Sequence, residues 1–278
     1  MPDLLKSSPS VKRWVTGILV GLPVLVCIAA GPIWSWWLLV SLATTIGLWE
    51  LHGLLFHVSL SGKWRFFSFA AGLFLPFATY LWGISGLNFA LFVSFFAALC
   101  LMMISSPLDC DEISRIALLS FAWLYVPYFI SFVLLIGRAP QGRFWILFLL
   151  VVIVAGDACA YHTGRWIGRH KLYRAVSPMK TIEGAIGGLF LSIVAGSIFG
   201  FIFLRNMPLA KLFFFSLAVA ATGQVGDLIE SMIKRNSGKK DSSGLLPGHG
   251  GMLDRLDSLL FAFPVLWALL QWATAEQI

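Results

Sequence analysis

Nine apolar runs, near residues 14 to 31, 33 to 55, 66 to 83, 86 to 105, 116 to 136, 143 to 162, 184 to 204, 211 to 230 and 258 to 274, occupy most of this 278-residue chain. A helix needs roughly 20 residues to cross a hydrocarbon layer about 30 Å thick, and each run is close to that length. Inside lipid, backbone N–H and C=O groups must find partners within the chain, which a helix provides locally. The expected fold is an all-α, polytopic integral membrane bundle of about nine transmembrane helices. Gly31 and Pro32 alone separate the first two runs, a tight hairpin signal.

The chemical make-up supports lipid rather than water as the surroundings. Hydrophobic residues are 59% of the chain and charged residues 12%, where a soluble domain carries roughly a quarter charged residues. Trp14, Trp34, Trp36, Trp37, Trp64, Trp82, Trp145 and Trp166 fall near the ends of apolar runs, where indole rings favour the headgroup zone. The N-terminus, with Lys6, Lys12 and Arg13 ahead of an apolar stretch, has the look of a secretory signal. No small-x-small cleavage site leads into a soluble domain, and Val26 before Cys27 is too large for a lipoprotein cleavage box, so this stretch is read as the first membrane helix.

With the N-terminus placed in the cytoplasm, every Lys and Arg except Arg138, Arg143, Arg205 and Lys211 lies on the cytoplasmic side. That bias follows the positive-inside rule and puts both large polar loops on one face. The chain reads as one membrane domain over 1–278, with mainly structural helices in 1–140 and the reactive helices and cytoplasmic loops in 141–278. A formal charge of +7 spread over short loops suits an anionic bilayer face and an anionic substrate, not nucleic acid. Cys27, Cys100, Cys110 and Cys159 form no CxxC pair, and neither a disulfide framework nor a zinc site is expected.

Charge beside lipid is costly and marks function by default. It concentrates in SMIKRNSGKKDSSGLLPGHGGMLDRLD, Ser231 to Asp257, where Asp241, Asp254 and Asp257 mingle with Lys234, Arg235, Lys239, Lys240, Arg255 and glycine-flanked His249. Asp227 ends the eighth run and Asp254 just precedes the ninth. Two carboxylates at helix ends can share magnesium, a hard cation that keeps positions for water and substrate phosphate. The structural alternative, that each acid caps a helix or pairs with Arg235 or Arg255, carries about equal weight. Asp254 and Asp257, three apart, share a helix face, while Arg255 projects about 100° away. His249, without a second histidine at ligand spacing, suits phosphate contact or loop ordering better than zinc.

A second constellation runs from Gly156 to Gly188. Asp157 falls within the sixth run and should face a cation or a basic side chain. Ser177, Lys180, Thr181 and Glu183 follow in a compact turn. Thr181 and Glu183 can start the seventh helix, while Lys180 and nearby amides can bind phosphate at its N-terminus. Neither loop holds GxxxxGK[ST], a dinucleotide GxGxxG or a GxSxG elbow. The residues thus describe a membrane enzyme acting on phosphate groups.

Together these segments resemble the phosphatidate cytidylyltransferases, or CDP-diacylglycerol synthases. The family signature is matched by Ser231, Lys234, Arg235, Lys240, Asp241, His249, Gly250, Gly251, Asp254, Arg255 and Asp257. Its upstream blocks are matched by Asp157, Ala160, Tyr161, Ser177, Pro178, Lys180, Thr181, Glu183 and Gly184, with Cys159 and His162 standing where a small and an aromatic residue are expected. The resemblance covers about residues 155 to 260 in detail. It implies that CTP and phosphatidic acid give CDP-diacylglycerol and pyrophosphate with magnesium, held by Asp227 and Asp254, and leaves potassium open as a second cation. It further implies a catalytic set of Asp227, Lys234, Arg235, Lys240, Asp241, His249, Asp254, Arg255 and Asp257. Asp157, Tyr161, Ser177, Lys180, Thr181 and Glu183 would bind substrate. The expected partners are CTP, phosphatidic acid and membrane lipid, with a homodimer and a single copy both open, and the expected location is a bacterial inner membrane with the site facing the cytoplasm. A CTP-dependent lipid kinase and a transporter of an anionic solute are the rival readings.

Overall fold

Helix forms nearly all the regular structure in the computed structural model, which describes residues 9–56, 60–105, 110–246 and 250–275. In chain order come α1 (Pro9–Ala30), α2 (Ile33–Leu55), α3 (Gly62–Ser105), α4 (Cys110–Trp123), a π-helical turn (Leu124–Tyr128), α5 (Phe129–Arg138) and α6 (Gly142–Ile167). A hairpin of β1 (Lys171–Tyr173) and β2 (Ser177–Thr181) precedes α7 (Ile182–Phe203), α8 (Leu209–Asn236) and α9 (Leu253–Ala275). Among the described residues, seven helical segments are long and apolar enough to cross a membrane, and the chain is an integral membrane protein.

The expected count of about nine is approximate, and these seven segments are compatible with it. α1 is helical over Pro9–Ala30, covering the first expected run, and Gly21–Ala30 is an apolar part of it. α3 spans 44 residues, roughly 66 Å if straight and far longer than one crossing, and it holds the third and fourth expected runs as two helices meeting at a kink. The break falls at Gly83, whose φ of 66° and ψ of −144° lie outside helical space and suit a residue without Cβ. Between α4 and α5, Pro127 lacks the N–H that a continuous helix would use, and the backbone widens there into the π-helical turn. Ser131 Oγ donates to the Pro127 carbonyl at 2.6 Å.

Two compact units emerge. One runs to Leu135 and takes in Asp241–Asp254; the other comprises Ile136–Lys240 and the chain from Arg255 onward. In the first, α2 buries Val40, Leu48, Leu51 and Leu54, and Trp123 of α4 is fully buried. The Trp123 indole donates to Ser68 O at 3.1 Å and stands edge-on to Phe67, so a large apolar ring also satisfies its one polar atom.

The second unit is organised by small residues. Gly184, Gly188, Ser192, Gly196 and Gly200 recur every four residues along α7, and all are buried. Lipid tails are as apolar as leucine, so helices in a bilayer associate through close van der Waals contact and interhelical hydrogen bonds. A Cβ at Gly188 would lie 2.9 Å from Gly156 O and 3.0 Å from the Ala160 Cβ, and Ser192 Oγ donates to Val152 O at 2.7 Å. The opposite face shows Ile186, Phe190, Ile198 and Phe201, all exposed, as a lipid-facing surface requires.

Replacing Gly188 with leucine should force α6 and α7 apart and cost about 1–3 kcal/mol of stability. Thermal unfolding in detergent checks this; a wild-type midpoint would show that the close approach is dispensable.

Candidate functional site

The second unit encloses a cavity of about 630 Å³. From α6, Asp157, Tyr161 and Gly164 line it, at spacings of four and three that place them along one helix face, and Gly168 follows just past the helix end. The hairpin contributes Lys171, Lys180 and Thr181, and α8 contributes Gln224 and Asp227, again three apart. Gly164 and Gly184 line the same space, so the small residues that let α6 and α7 close also leave room beside them.

Opposite charges meet in this cavity. Lys180 Nζ forms an ion pair with Asp227 Oδ2. The Asp157 carboxyl feels the charges of Asp227, Lys180 and Arg255. Asp257, whose Oδ1 accepts from Ser258 N at 2.7 Å, feels those of Asp227, Asp157 and Lys234. A Cβ at Gly226 would run into Asp257 O, so this glycine lets α8 bring Asp227 up to the early turns of α9. Three carboxylates and three bases that the sequence singled out are thus gathered in one unit. Among the described residues no three His, Cys, Asp or Glu side chains form a ready metal cage.

The expected compact turn is a β-hairpin. Lys171 pairs with Thr181 and Tyr173 with Ser177, because the segment reverses within a few residues and its backbone groups need partners before α7 begins. Thr181 Oγ accepts from Gly184 N at 3.1 Å and caps α7, so its role as helix starter and its place in the cavity wall coexist. Glu183 turns to the hairpin entrance: its carboxylate accepts from Arg169 N at 3.1 Å and contacts His170 Nδ1 at 2.6 Å. Ser177 is held within β2. Neither Glu183 nor Ser177 lines the cavity. Arg235 Nε donates to Val176 O at 3.2 Å, tying the end of α8 to the hairpin.

Lys234 pairs with Glu230 at 2.7 Å, where Glu230 is almost fully buried. Lys240 is exposed at the end of the second unit's 136–240 segment, and Asp241, also exposed, opens the segment belonging to the first unit. In that first unit Asp254 Oδ2 accepts from Ser242 N at 3.0 Å, Ser242 Oγ at 2.9 Å and Gly251 N at 2.7 Å. His249 lies outside the described residues. His162 stands 5.9 Å from the Trp166 ring and edge-on to Tyr161, filling an aromatic position with its own flat ring.

Several participants escaped the sequence reading. Arg165, Lys171 and Gln224 line the cavity; Gln224, three residues before Asp227, was visible as a neighbour on the same face. Glu50 and Glu230 are buried carboxylates at 2% and 1% exposure, and a lone acid inside an apolar run was the signal for both.

Comparison with known proteins gives a consistent result. The cytidylyltransferase family matches residues 11–273. The phosphatidate cytidylyltransferase of Bacillus subtilis (strain 168) is 36% identical over 189 residues, 68% of this chain and 69% of that protein. Those of Staphylococcus saprophyticus and Staphylococcus aureus (strain COL) are each 42% identical over 141 residues, 51% of this chain and 54% of theirs.

Glu183→Ala should loosen the hairpin entrance without displacing α7. Faster tryptic cleavage after Arg169, Lys171 or Arg174 is expected; unchanged cleavage would show that the Glu183 contacts do not hold this segment.

Proposed function

Since the chain belongs to the cytidylyltransferase family, we propose that it joins CTP to phosphatidic acid, giving CDP-diacylglycerol and pyrophosphate. The observation that carries this reading is a cavity lined by Asp157, Asp227, Lys171 and Lys180 between apolar helices, with Asp257, Lys234 and Arg255 in the same unit acting on its acids or on one another. Such a place suits a reaction between two anions, one of them anchored in lipid.

An oxygen of the lipid phosphate attacks the α-phosphorus of CTP, and the bond from that phosphorus to the bridging oxygen breaks, so pyrophosphate leaves with the electron pair. A phosphate monoester has a second pKa near 6 and is already largely ionised at neutral pH, so no strong base is required. The protein's work is to hold the attacking and leaving oxygens in line and to offset the repulsion of two polyanions. Lys180 and Lys171 line the cavity, Arg255 supplies positive charge to Asp157, and Lys234 supplies it to Asp257. Thr181 and the amides at the start of α7 form an anion-friendly helix end. Tyr161, 62% exposed, offers an amphipathic ring where acyl chains approach a headgroup.

The donor chemistry fits magnesium. Carboxylate oxygens are its preferred protein ligands, and it takes one or two of them while keeping water and substrate phosphate, so a three-residue cage is not required. Asp157, Asp227 and Asp257 repel one another, and a cation near them relieves that repulsion. We assign magnesium binding to Asp227 in the second unit and, taken by itself, to Asp254 in the first. When bound, the ion withdraws charge from phosphate oxygens. Lys180 then serves to keep the Asp227 carboxylate oriented before substrate arrives. We place the protein in a bacterial inner membrane with this cavity open to the cytoplasm, in keeping with the Lys and Arg bias of the loops and with where CTP is made available.

Purified protein given CTP labelled at the α-phosphate, phosphatidic acid and magnesium should move label into the organic phase, and chelation should stop it reversibly. A lipid kinase would leave that label in water-soluble CDP. Asp227→Asn should lower turnover by at least about a hundredfold with the protein still folded; near-normal turnover would remove Asp227 from the metal site.

A further inference from the structure

We propose that Glu50, in the middle of the sequence of α2's closing turns and far from every motif, is a positioning residue for Asp254; the proposal rests on the assignment of Asp254 as a magnesium-binding carboxylate. Glu50 is 2% exposed within a helix apolar enough to span a membrane. A carboxylate so placed is costly unless donors surround it. Oε1 accepts from Ser243 Oγ at 2.5 Å and Met252 N at 2.9 Å; Oε2 accepts from Ser242 Oγ at 3.1 Å and Leu253 N at 2.8 Å. All four donors come from one segment some 200 residues later in the chain, and all belong to the first unit. No guanidinium or ammonium group is among them.

One of these donors, the Ser242 hydroxyl, also serves Asp254. Ser242 supplies both its N–H and its hydroxyl to Asp254 Oδ2, and Gly251 N supplies a third bond. A side chain at Gly251 would run into Ser242 Oγ and Glu50 Oε1, so the three groups are pressed together. Two consequences follow. First, Met252 and Leu253 carry amides that open α9, and Glu50 occupies both, which leaves Asp254 Oδ2 to the amides of Gly251 and Ser242. Secondly, Ser242 Oγ has one proton and lies within reach of both carboxylates. When Glu50 takes that proton, Asp254 Oδ2 keeps two backbone donors; when Asp254 takes it, Glu50 keeps three others. Glu50 and Asp254 therefore compete through one hydroxyl, and the demand of either is felt by the other. Partners of this kind, one bond removed from a metal ligand, set its orientation and basicity.

The test uses the full chain in detergent as wild type, Glu50→Gln, Ser242→Ala and Asp254→Asn. Two quantities are read: Mn²⁺ binding by electron paramagnetic resonance without CTP, and the magnesium concentration giving half-maximal CDP-diacylglycerol formation. Glu50→Gln and Ser242→Ala should each weaken Mn²⁺ binding and raise the magnesium requirement by about 10- to 100-fold in folded protein, a change that mere loss of folded enzyme would not produce. Wild-type values for both variants, alongside loss of Mn²⁺ binding in Asp254→Asn, would overturn the role of Glu50 and leave the site intact. Wild-type Mn²⁺ binding by Asp254→Asn would overturn the metal assignment of Asp254 itself. Should Glu50→Gln fail to fold, Ser243→Ala decides by the same two measurements, wild-type values overturning the role of Glu50, since it removes a donor from Glu50 and none from Asp254.

Discussion

A carboxylate carried among apolar helices must meet its donors before the helices can close, and this requirement organises both units. Glu50 gathers two hydroxyls and two backbone amides, Glu230 takes Lys234, and Asp227 takes Lys180. Each pairing fixes a segment that has no other strong reason to lie where it does. The glycine-rich segment before α9 is pinned by Glu50, the end of α8 by Glu230 and Arg235, and β2 by Asp227. In water such contacts would contribute little; where solvent is scarce, leaving one partner unmet costs much more than the pair contributes.

The second constraint is the absence of side-chain bulk between α6 and α7. The ladder of Gly184, Gly188 and Ser192 lets two backbones approach until Ser192 reaches Val152 O. At the hairpin end the same thinness opens the cavity, because Gly164 and Gly184 occupy helix faces without filling them. Packing and site are therefore one design: the residues that hold the helices together make the space in which polar groups from α6, β2 and α8 can face each other. An anionic headgroup and a nucleotide need such a space at the edge of the lipid, and acyl chains need the apolar wall beside it.

Much of this was legible beforehand because length and hydropathy act locally. The runs expected near residues 33, 143, 184, 211 and 258 lie in helices because lipid leaves their backbones no better partner, and Gly31–Pro32 interrupts helix between the first two runs. Thr181 was recognisable as a cap from its own chemistry. Less was visible where two local signals compete. Pro127 widens a helix instead of stopping it, with Ser131 Oγ donating to its carbonyl. The hairpin at 171–181 was hidden because three- and five-residue strands are too short to show an alternation.

What the amino-acid order determined alone is the medium and the chemistry: helices of membrane length, acids and bases confined to a few loops, and the pattern that marks a cytidylyltransferase. Those properties follow from composition and spacing along one dimension. Only the tertiary structure decided the partners: Lys180 with Asp227 rather than with solvent, Glu183 with the hairpin rather than the cavity, and Glu50 with a segment some 200 residues away. Pairings of that kind depend on which helix faces can approach closely enough, and close approach is a property of packed surfaces in three dimensions that no local spacing contains.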